Sequence, residues 1–462
     1  MIELPCVRSR FFSALLLVQG AATLVTAQSS NYVWSPVPSL GPVARYSHGL
    51  VWDRNNRESV LFGGQSNGSF LGDTWTWDGA NWRPKMFAIA PPARAYPVMC
   101  YSANRNKVVM YGGTSVMGGV AAWYRDLWEW DGRDWHLVAS NGPALGYGVA
   151  GAYDSQRSRL VVFGGLRQSG STWIVGSETW EWDESVWTLA AASGPLGRSH
   201  HCMAFDSTRN RTVLFGGAGI GTGYGDTWEW DGAQWRCADV GGQVPRGGAC
   251  MVFDEVLSRC ILYGGGTFDT NTYKWDGASW EIAGAGAPNA NWMPAMTYDS
   301  SRGQSLLFGG VANNELDETW VFGSSAQATP YGSGCGQPLL AMAPGHLSLP
   351  IIGRSASVGL SGIPGAIAFM ALGWSRAMMG PFPLPMALAG FGMPGCDLLQ
   401  SSEVAALPLI GAGQQMTYSL AIPAWSGLIG QTLFLQGWAP APGANSGGTI
   451  TSNAIEWRIG SL

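Results

Sequence analysis

The stretch GDTWEWDGAQW, residues 225–235, decides the fold because it recurs along the chain. Its two closely spaced tryptophans share one face of a strand, since strand side chains alternate with period two. Asp-Gly then predicts a tight hairpin, and the third tryptophan opens the next strand. Close copies stand at 72–82 (GDTWTWDGANW), 125–135 (RDLWEWDGRDW), 177–187 (SETWEWDESVW) and 272–280 (TYKWDGASW).

A second recurring arrangement precedes the tryptophan motif. Upstream lies RSHHCMAFDSTRNRTVLFGG (198–217), which predicts a strand, a polar turn, a second strand and then Gly-Gly. The same order recurs at 45–64, 94–113, 146–165, 246–265 and 291–310. Four strands per unit and a period near 50 residues indicate a propeller array.

The ends of the array predict how it closes. The sixth unit has ETWVFG (318–323) but lacks the hairpin and the third tryptophan, whereas NYVWSPV (31–37) reads as an isolated fourth strand carrying Trp34. We therefore expect an all-β, six-bladed propeller closed by an N-terminal outer strand, which leaves no open edge between blades. Tryptophan, the bulkiest apolar side chain, would fill the space between blades.

This pattern resembles the kelch repeat, in which Gly-Gly follows the second strand and an aromatic residue precedes a tryptophan by about six positions. Trp230 and Trp235 meet that spacing within one residue. The resemblance covers about residues 31–323. It implies a propeller that binds proteins, sugars or small molecules at its channel mouth, and some kelch proteins are enzymes.

The composition changes after the repeats. Residues 331–462 carry six charged side chains, and short apolar stretches alternate with Gly, Pro and Ser turns, which predicts a small β-sandwich after a linker at 324–330. YGSGC (331–335), FPLPMALAGFGMPGC (382–396) and QGWAPAPGANSGGTITSNAIEWRIG (436–460) resemble the C-terminal β-domain of many secreted planctomycete proteins. That likeness implies no activity, and surface retention or interaction is the hypothesis.

The N-terminus predicts export. Arg8 and Arg10 precede the apolar run 11–25, and Val25-Thr26-Ala27 suits cleavage, so residues 1–27 are expected to be a signal peptide and 28–323 the propeller domain. No later apolar run is long enough to span a membrane. A formal charge of −5 with scattered arginines excludes an electrostatic surface for nucleic acid. We expect a secreted or extracytoplasmic monomer, with cell-surface association as an option.

The cysteines divide into two groups. Cys335 and Cys396 are the two in the tail domain, and a pair in one domain of an exported protein favours a disulfide. The remaining five in the expected mature chain are predicted to be small buried thiols: Cys100, Cys202, Cys237, Cys250 and Cys260.

No catalytic motif, metal-ligand spacing or cofactor site is evident; residues 146–151 match GxGxxG but open a propeller strand rather than a βαβ unit. One candidate set is the arginine that recurs just before the first strand of four units: Arg45, Arg94, Arg198 and Arg246. These arginines could grip a carboxylate, sulfate or uronic acid near the channel mouth. Alternatively, each could hold its own blade by bonding to backbone carbonyls.

Histidine and tryptophan supply the other candidates. His48 and His201 occupy one repeat position in opposite blades, where a solvated or hydrogen-bonded rim histidine is the simpler interpretation. Trp123 and Trp173 stand in the two longest loops between second and third strands, and could bind a ligand or fold over the blade edge.

Two functions remain open from the sequence. The first is a secreted, non-catalytic binding or scaffold protein for a protein or glycan. The second is an extracellular carbohydrate-active enzyme (lyase, hydrolase or epimerase), which would need titratable groups converging at the channel mouth.

Overall fold

The computed structural model describes residues 32–461 except 88, 118, 267–268, 285–287, 290–291, 338, 346–347, 403 and 411–413. The predicted signal peptide, 1–27, lies outside the described residues. The chain divides into two compact units between Phe322 and Gly323.

The first unit is built from strands. They are β1 (Tyr32–Pro36), β2 (Gly49–Asp53), β3 (Glu58–Phe62), β4 (Gln65–Ser66), β5 (Ser69–Phe70), β6 (Thr74–Trp77), β7 (Trp82–Lys85), β8 (Val98–Ser102), β9 (Lys107–Tyr111), β10 (Thr114–Met117), β11 (Val120–Trp123), β12 (Leu127–Trp130), β13 (Trp135–Ala139), β14 (Ala150–Asp154), β15 (Arg159–Phe163), β16 (Leu166–Ser169), β17 (Thr172–Val175), β18 (Thr179–Trp182), β19 (Trp187–Ala191), β20 (Cys202–Asp206), β21 (Arg211–Phe215), β22 (Thr227–Trp230), β23 (Trp235–Asp239), β24 (Ala249–Asp254), β25 (Arg259–Gly264), β26 (Thr272–Trp275), β27 (Trp280–Gly284), β28 (Ala295–Asp299), β29 (Gln304–Phe308) and β30 (Thr319–Ser324).

Most of these strands form four-stranded sheets, six within the described residues. We number them sheet 1 (β2-β3-β6-β7), sheet 2 (β8-β9-β12-β13), sheet 3 (β14-β15-β18-β19), sheet 4 (β20-β21-β22-β23), sheet 5 (β24-β25-β26-β27) and sheet 6 (β28-β29-β30-β1). Each first strand contacts the first strands of two other sheets, and β28 contacts β2, so these contacts close on themselves. The expected place of the N-terminal segment is observed, since β1 lies beside β30, the strand that holds Trp320.

An aromatic contact recurs at every junction between neighbouring sheets. An aromatic residue at or next to the end of each second strand meets a tryptophan of the fourth strand of the next sheet, with ring centroids 4.5–5.5 Å apart. The pairs are Phe62–Trp135, Tyr111–Trp187, Phe163–Trp235, Phe215–Trp280, Tyr263–Trp34 and Phe308–Trp82. Trp34 therefore serves the last junction as its counterparts serve the others.

The fourth-strand tryptophans also make a polar contact across five of these junctions. The indole Nε1 of Trp135, for example, donates to the Thr74 hydroxyl of the preceding sheet at 3.0 Å. Trp187 is the exception among the described tryptophans of this set, because Leu127 replaces the threonine and the indole nitrogen is buried without a partner. The threonine of the motif in one sheet thus accepts a hydrogen bond from the last tryptophan of the motif in the next sheet. This pair links neighbouring sheets in addition to the packing of the rings.

The second unit is also formed by strands. They are β31 (Gln327–Tyr331), β32 (Ala341–Pro344), β33 (Ser355–Ser361), β34 (Ile367–Gly373), β35 (Met378–Met379), β36 (Phe382–Pro383), β37 (Met386–Ala387), β38 (Asp397–Leu398), β39 (Ala405–Ile410), β40 (Gln415–Ala421), β41 (Thr432–Pro440) and β42 (Thr449–Arg458), with 3-10 turns at Ala389–Phe391 and Ser426–Leu428. The two larger sheets have the orders β31-β42-β41-β34-β39 and β32-β33-β40. The expected linker at 324–330 is mostly paired structure, because β31 forms a regular antiparallel ladder with β42.

The predicted disulfide between Cys335 and Cys396 is confirmed, with α-carbons 5.2 Å apart. Four of the five cysteines expected to be buried thiols are free and buried: Cys100, Cys202, Cys250 and Cys260. Cys237 departs from the expectation of a fully buried residue, because it is half-buried.

Candidate functional site

The four recurring arginines are buried inside the sheets. The Arg198 guanidinium donates to the Gly216 carbonyl at 2.9 Å and forms a two-pronged pair with Asp226, at 2.6 and 3.0 Å. Equivalent ion pairs are Arg45–Asp73, Arg94–Asp126 and Arg246–Asp269. Burial alone would raise the pKa of Asp73 and Asp126, but the hydrogen bonds and charge of the arginines hold it below the ordinary value.

These contacts correct the idea of an arginine grip on an acidic ligand. The side chains of all four arginines are fully buried, and their forked donors already face a carboxylate and a carbonyl. A bound anion would have to displace a buried ion pair, which is strongly unfavourable. The arginines hold the start of the first strand to the start of the third strand in the same sheet.

Sheet 3 departs from the arginine pattern, and the departure makes room for an aromatic side chain. Gly146 stands in the arginine position with a φ of 87°. A β-carbon there would lie 2.1 Å from the Leu166 carbonyl oxygen and 2.8 Å from the Trp123 ring. Only glycine fits this position, because both the backbone angle and the space exclude a side chain.

A continuous group of rings, which we call the rim cluster, gathers at this place. Its members are Tyr96, Trp123, Tyr147, Trp173 and His200, with neighbouring ring centroids 5.4–6.2 Å apart. Two antiparallel hairpins, β10–β11 and β16–β17, carry the two tryptophans. Trp173 is 44% exposed and Trp123 is half-buried. The structure therefore brings both predicted loop tryptophans together and leaves an aromatic surface open to solvent.

A ring of left-handed residues, the collar, lies just before the first strands. Its members, with φ between 55° and 73°, are Ser47, Tyr96, Gly148, His200, Gly248 and Met293. Backbone N–H groups link successive members: Tyr96 donates to Ser47 at 2.7 Å, and Gly248 donates to His200 at 2.7 Å. Four members retain a side chain where glycine would relieve backbone strain, and strained residues of this kind cluster at functional sites.

The collar and the residue after each of its members enclose a cavity of about 140 Å³, which we call the mouth cavity. Ser47 and Tyr96 donate their hydroxyls to the Met293 sulfur, at 3.0 and 3.2 Å. A thioether is a weak acceptor. Two polar groups of the mouth therefore hold poor partners that a ligand could replace.

Both predicted histidines line this cavity. His48 and His201 are 7% and 5% exposed, and both ring nitrogens of His48 are buried without a hydrogen-bond partner, whereas the His201 ring has the Phe163 backbone as a hydrogen-bonding neighbour. His48 therefore departs from the expectation of a solvated or hydrogen-bonded rim histidine, and His201 is buried rather than solvated. They come from sheets 1 and 4, and their rings pack edge-on against Phe308 and Phe163 of the neighbouring sheets.

The histidines of the mouth are neutral at ordinary pH. Burial, and then the charge of Arg45, lowers the pKa of His48 to about 3. Burial lowers the pKa of His200 to about 4, and burial with the Arg198 charge holds the pKa of His201 well below its ordinary value. A neutral imidazole offers one donor and one acceptor.

A larger cavity of about 400 Å³ runs along the first strands of the six sheets. Its two charged lining residues, Arg54 and Glu255, form an ion pair with each other. This end therefore offers less free polar chemistry than the mouth cavity.

Sequence reasoning missed Tyr96, Tyr147 and Met293, whereas His200 had been considered among the few titratable candidates at the mouth. A usable signal existed, because Gly148 and Gly248 occupy the collar position in two units and hint that its backbone is left-handed. Across the described residues, no group of three His, Cys, Asp or Glu side chains is placed to hold a metal ion. Nor does any helix there have the length and apolar character needed to cross a membrane.

Comparisons with known proteins bear on the fold. No protein-family model matches the chain. Adagio-like protein 3 of Oryza sativa subsp. japonica is 26% identical over 217 residues, which are 42% of this chain; the chain thus spans about a third (33%) of that relative. The solved structure of YjhT matches with a TM-score of 0.50 at 15% identity, over 63% of this chain and 96% of YjhT. Together with the repeated four-stranded sheets, this likeness fits a β-propeller.

Proposed function

We propose that this protein is a secreted, non-catalytic binding protein that engages a glycan through the rim cluster and the mouth cavity. In this proposal the first unit is a six-bladed propeller of the kelch type and the second is a β-sandwich-like domain with a role in surface retention. Export is supported by the Cys335–Cys396 disulfide, since such bonds persist in oxidising compartments.

The rim cluster is the observation that carries the proposal. A sugar ring presents apolar C–H faces and hydroxyl edges, so it suits aromatic surfaces flanked by a few polar groups. Trp173 and Trp123 offer such surfaces, and Tyr147 connects them to Tyr96, whose hydroxyl donates to the Met293 sulfur. Both tryptophans lie on hairpins supported by a rigid scaffold, where binding residues concentrate.

The enzyme alternative requires a proton donor or acceptor at the mouth. The described residues that line the mouth cavity include no carboxylate. Their three histidines are neutral, because burial lowers the pKa of each one. A general base with a pKa near neutrality would be needed for efficient catalysis. This chemistry favours binding over turnover.

A glycan array probed with the full-length exported protein tests the proposal. Trp173→Ala should abolish binding to the array, because it removes the exposed face of the rim cluster. Trp425→Ala is the matched control, since Trp425 is also exposed, at 64%, but lies in the second unit. Absence of any array signal, or equal loss in both variants, would refute the assignment, and product formation from a bound glycan would favour the enzyme alternative.

A further inference from the structure

One repeat position at the mouth carries a different side chain in each sheet. It is the residue before each collar member. In five sheets its backbone pairs with the residue after the Gly-Gly, as Tyr147 does with Leu166 and Trp292 does with Val311. The occupants in sheets 1 to 6 are Tyr46, Ala95, Tyr147, Ser199, Gly247 and Trp292. Tyr147 of the rim cluster and Trp292 therefore occupy equivalent places in sheets 3 and 6.

Each of these two aromatic rings lies against the collar member of the preceding sheet. The Tyr147 ring meets the Tyr96 ring, with centroids 5.7 Å apart. The Trp292 ring lies over Gly248, because a β-carbon on this glycine would be only 2.5 Å from the indole nitrogen and 2.7 Å from Cδ1. The glycine in the collar of sheet 5 thus makes room for the tryptophan.

The Trp292 ring is held in place without being covered. Its indole nitrogen donates to the Gly247 carbonyl at 3.1 Å, and the residue is 43% exposed. A ring that is already fixed loses little conformational freedom when a ligand covers its free face. Trp292 is therefore a second pre-formed aromatic surface, about as exposed as Trp173, at 44%.

The two aromatic surfaces lie on opposite sides of the mouth cavity. The first strands contact one another in a closed series, in which three junctions separate sheet 3 from sheet 6 in either direction. Collar members from all six sheets enclose the cavity between them. A single sugar ring can lie on one of the two surfaces, whereas a ligand that contacts both must cross the mouth cavity.

We propose that the glycan site extends across the mouth cavity from the rim cluster to Trp292, so that the protein recognises an oligosaccharide segment rather than a single sugar. The inference rests on the proposed glycan-binding function and specifies its ligand class. Two sugar residues of the segment stack on Trp173 and Trp292, since the apolar face of a sugar ring suits an aromatic surface. The part of the segment between them crosses the mouth cavity, of about 140 Å³.

A chain-length series tests the proposal. The probe is the array glycan that binds the full-length protein most tightly, titrated intact and as fragments shortened from either end down to the monosaccharide. We expect the affinity to rise by about 10-fold once a fragment is long enough to contact both tryptophans, because the free face of a second indole is then removed from water. An affinity that is the same for the monosaccharide and for every longer fragment would overturn the proposal.

Variants separate a binding role of Trp292 from a structural one. Trp292→Ala should weaken binding of the intact glycan by about 10-fold and leave binding of short fragments at the rim cluster unchanged, because only the long ligand covers this ring. Trp292→Phe keeps an aromatic surface and should retain most of the affinity. Trp425→Ala is the control away from the mouth, since Trp425 is 64% exposed in the second unit, and should leave both affinities unchanged.

The outcomes distinguish this inference from the proposed function. Binding that depends on Trp173 but is unaffected by Trp292→Ala at every chain length would overturn the extended site and leave glycan binding at the rim cluster standing. Equal losses for the intact glycan and the short fragments in Trp292→Ala would overturn it as well, since they would indicate a structural role. Failure to bind any glycan would overturn both proposals.

Discussion

The buried Arg198–Asp226 pair allows a sharp test of how the propeller unit is held together. Asp226→Asn keeps the shape of the side chain but removes its charge. The Arg198 side chain is fully buried, and it makes two hydrogen bonds to the carboxylate, at 2.6 and 3.0 Å. Asparagine has one acceptor oxygen, so one guanidinium donor would face an amide N–H group and the buried positive charge would lack a counterion.

The expected loss follows from that geometry. Removing one partner of a buried ion pair costs about 3–5 kcal/mol, and the lower end applies because Asp226 is 17% exposed. Glu178→Gln is the matched control at the equivalent position of sheet 3. Its partner Arg167 and Glu178 itself are 27% and 30% exposed, so this surface pair should contribute less than about 1 kcal/mol.

Urea unfolding followed by tryptophan fluorescence provides the measurement, because 20 of the 24 tryptophans lie between residues 34 and 320. The free energy of unfolding is taken from the midpoint and slope of the transition. Replacing both charges, with Arg198→Met and Asp226→Leu, should recover much of the loss, since no unpaired charge remains. If Asp226→Asn and Glu178→Gln cost the same, the arginines do not hold the sheets in the way described.

Three further predictions concern stability. Thr74→Val should lower the free energy of unfolding by about 1–3 kcal/mol, because it leaves the buried Trp135 indole N–H without an acceptor. In a Trp135→Phe background the same substitution should change the free energy of unfolding very little. Equal losses in the two backgrounds of this double-mutant cycle would contradict the inter-sheet bond. Burial raises the pKa of Asp254 from 3.8 to about 7, so its charge opposes folding increasingly as pH rises between those values. Asp254→Asn should therefore raise the free energy of unfolding by up to about 4 kcal/mol above pH 7 and change it little near pH 4. Asp206→Asn is the contrasting variant and should lower the free energy of unfolding, because it removes a 2.7 Å contact with an arginine. A loss of stability in Asp254→Asn at pH 8 would refute this prediction. Because burial lowers the pKa of His48 to about 3, the unfolded form of this residue gains a proton below pH 6.5, and its contribution lowers stability by about 1.4 kcal/mol per pH unit as the pH falls. His48→Val should therefore reduce the slope of urea-derived stability between pH 6.5 and 4 by about that amount and leave the contributions of His200 and His201 in place; an unchanged slope would contradict the neutral buried ring.

Much of the first unit could be predicted because its signals are local. Alternating tryptophans, Asp-Gly turns and Gly-Gly pairs each specify a strand, a hairpin or a strand end within a few residues. Because the same pattern recurs in six units, each strand can be assigned by comparison with its equivalents. This comparison predicted that the isolated strand at 31–37 pairs with the strand at 318–323. The tail lacks such repetition, and its first strand, Gln327–Tyr331, was mistaken for a linker because its partner, Thr449–Arg458, is distant in sequence.

The site was harder to predict because its residues are defined by partners and backbone angles. Four arginines in one repeat position could hold a ligand or a carboxylate of their own sheet. The same sequence pattern is compatible with both roles, so the sequence alone could not distinguish them. Trp123 and Trp173 were singled out as aromatic residues that the third strand does not require, but their meeting with Tyr147 depends on two hairpins from neighbouring sheets.

By itself, the sequence determined an all-β repeat array, the disulfide between Cys335 and Cys396 and the candidate tryptophans, because these follow from short-range pattern and composition. Only the tertiary structure decided that the arginines are internally paired, that His48 and His201 are buried, and that Ser47, Tyr96, His200 and Met293 form part of a collar. The physical reason is that charge pairing, burial and solvent access are properties of which groups meet across sheets, and residues far apart in sequence settle them.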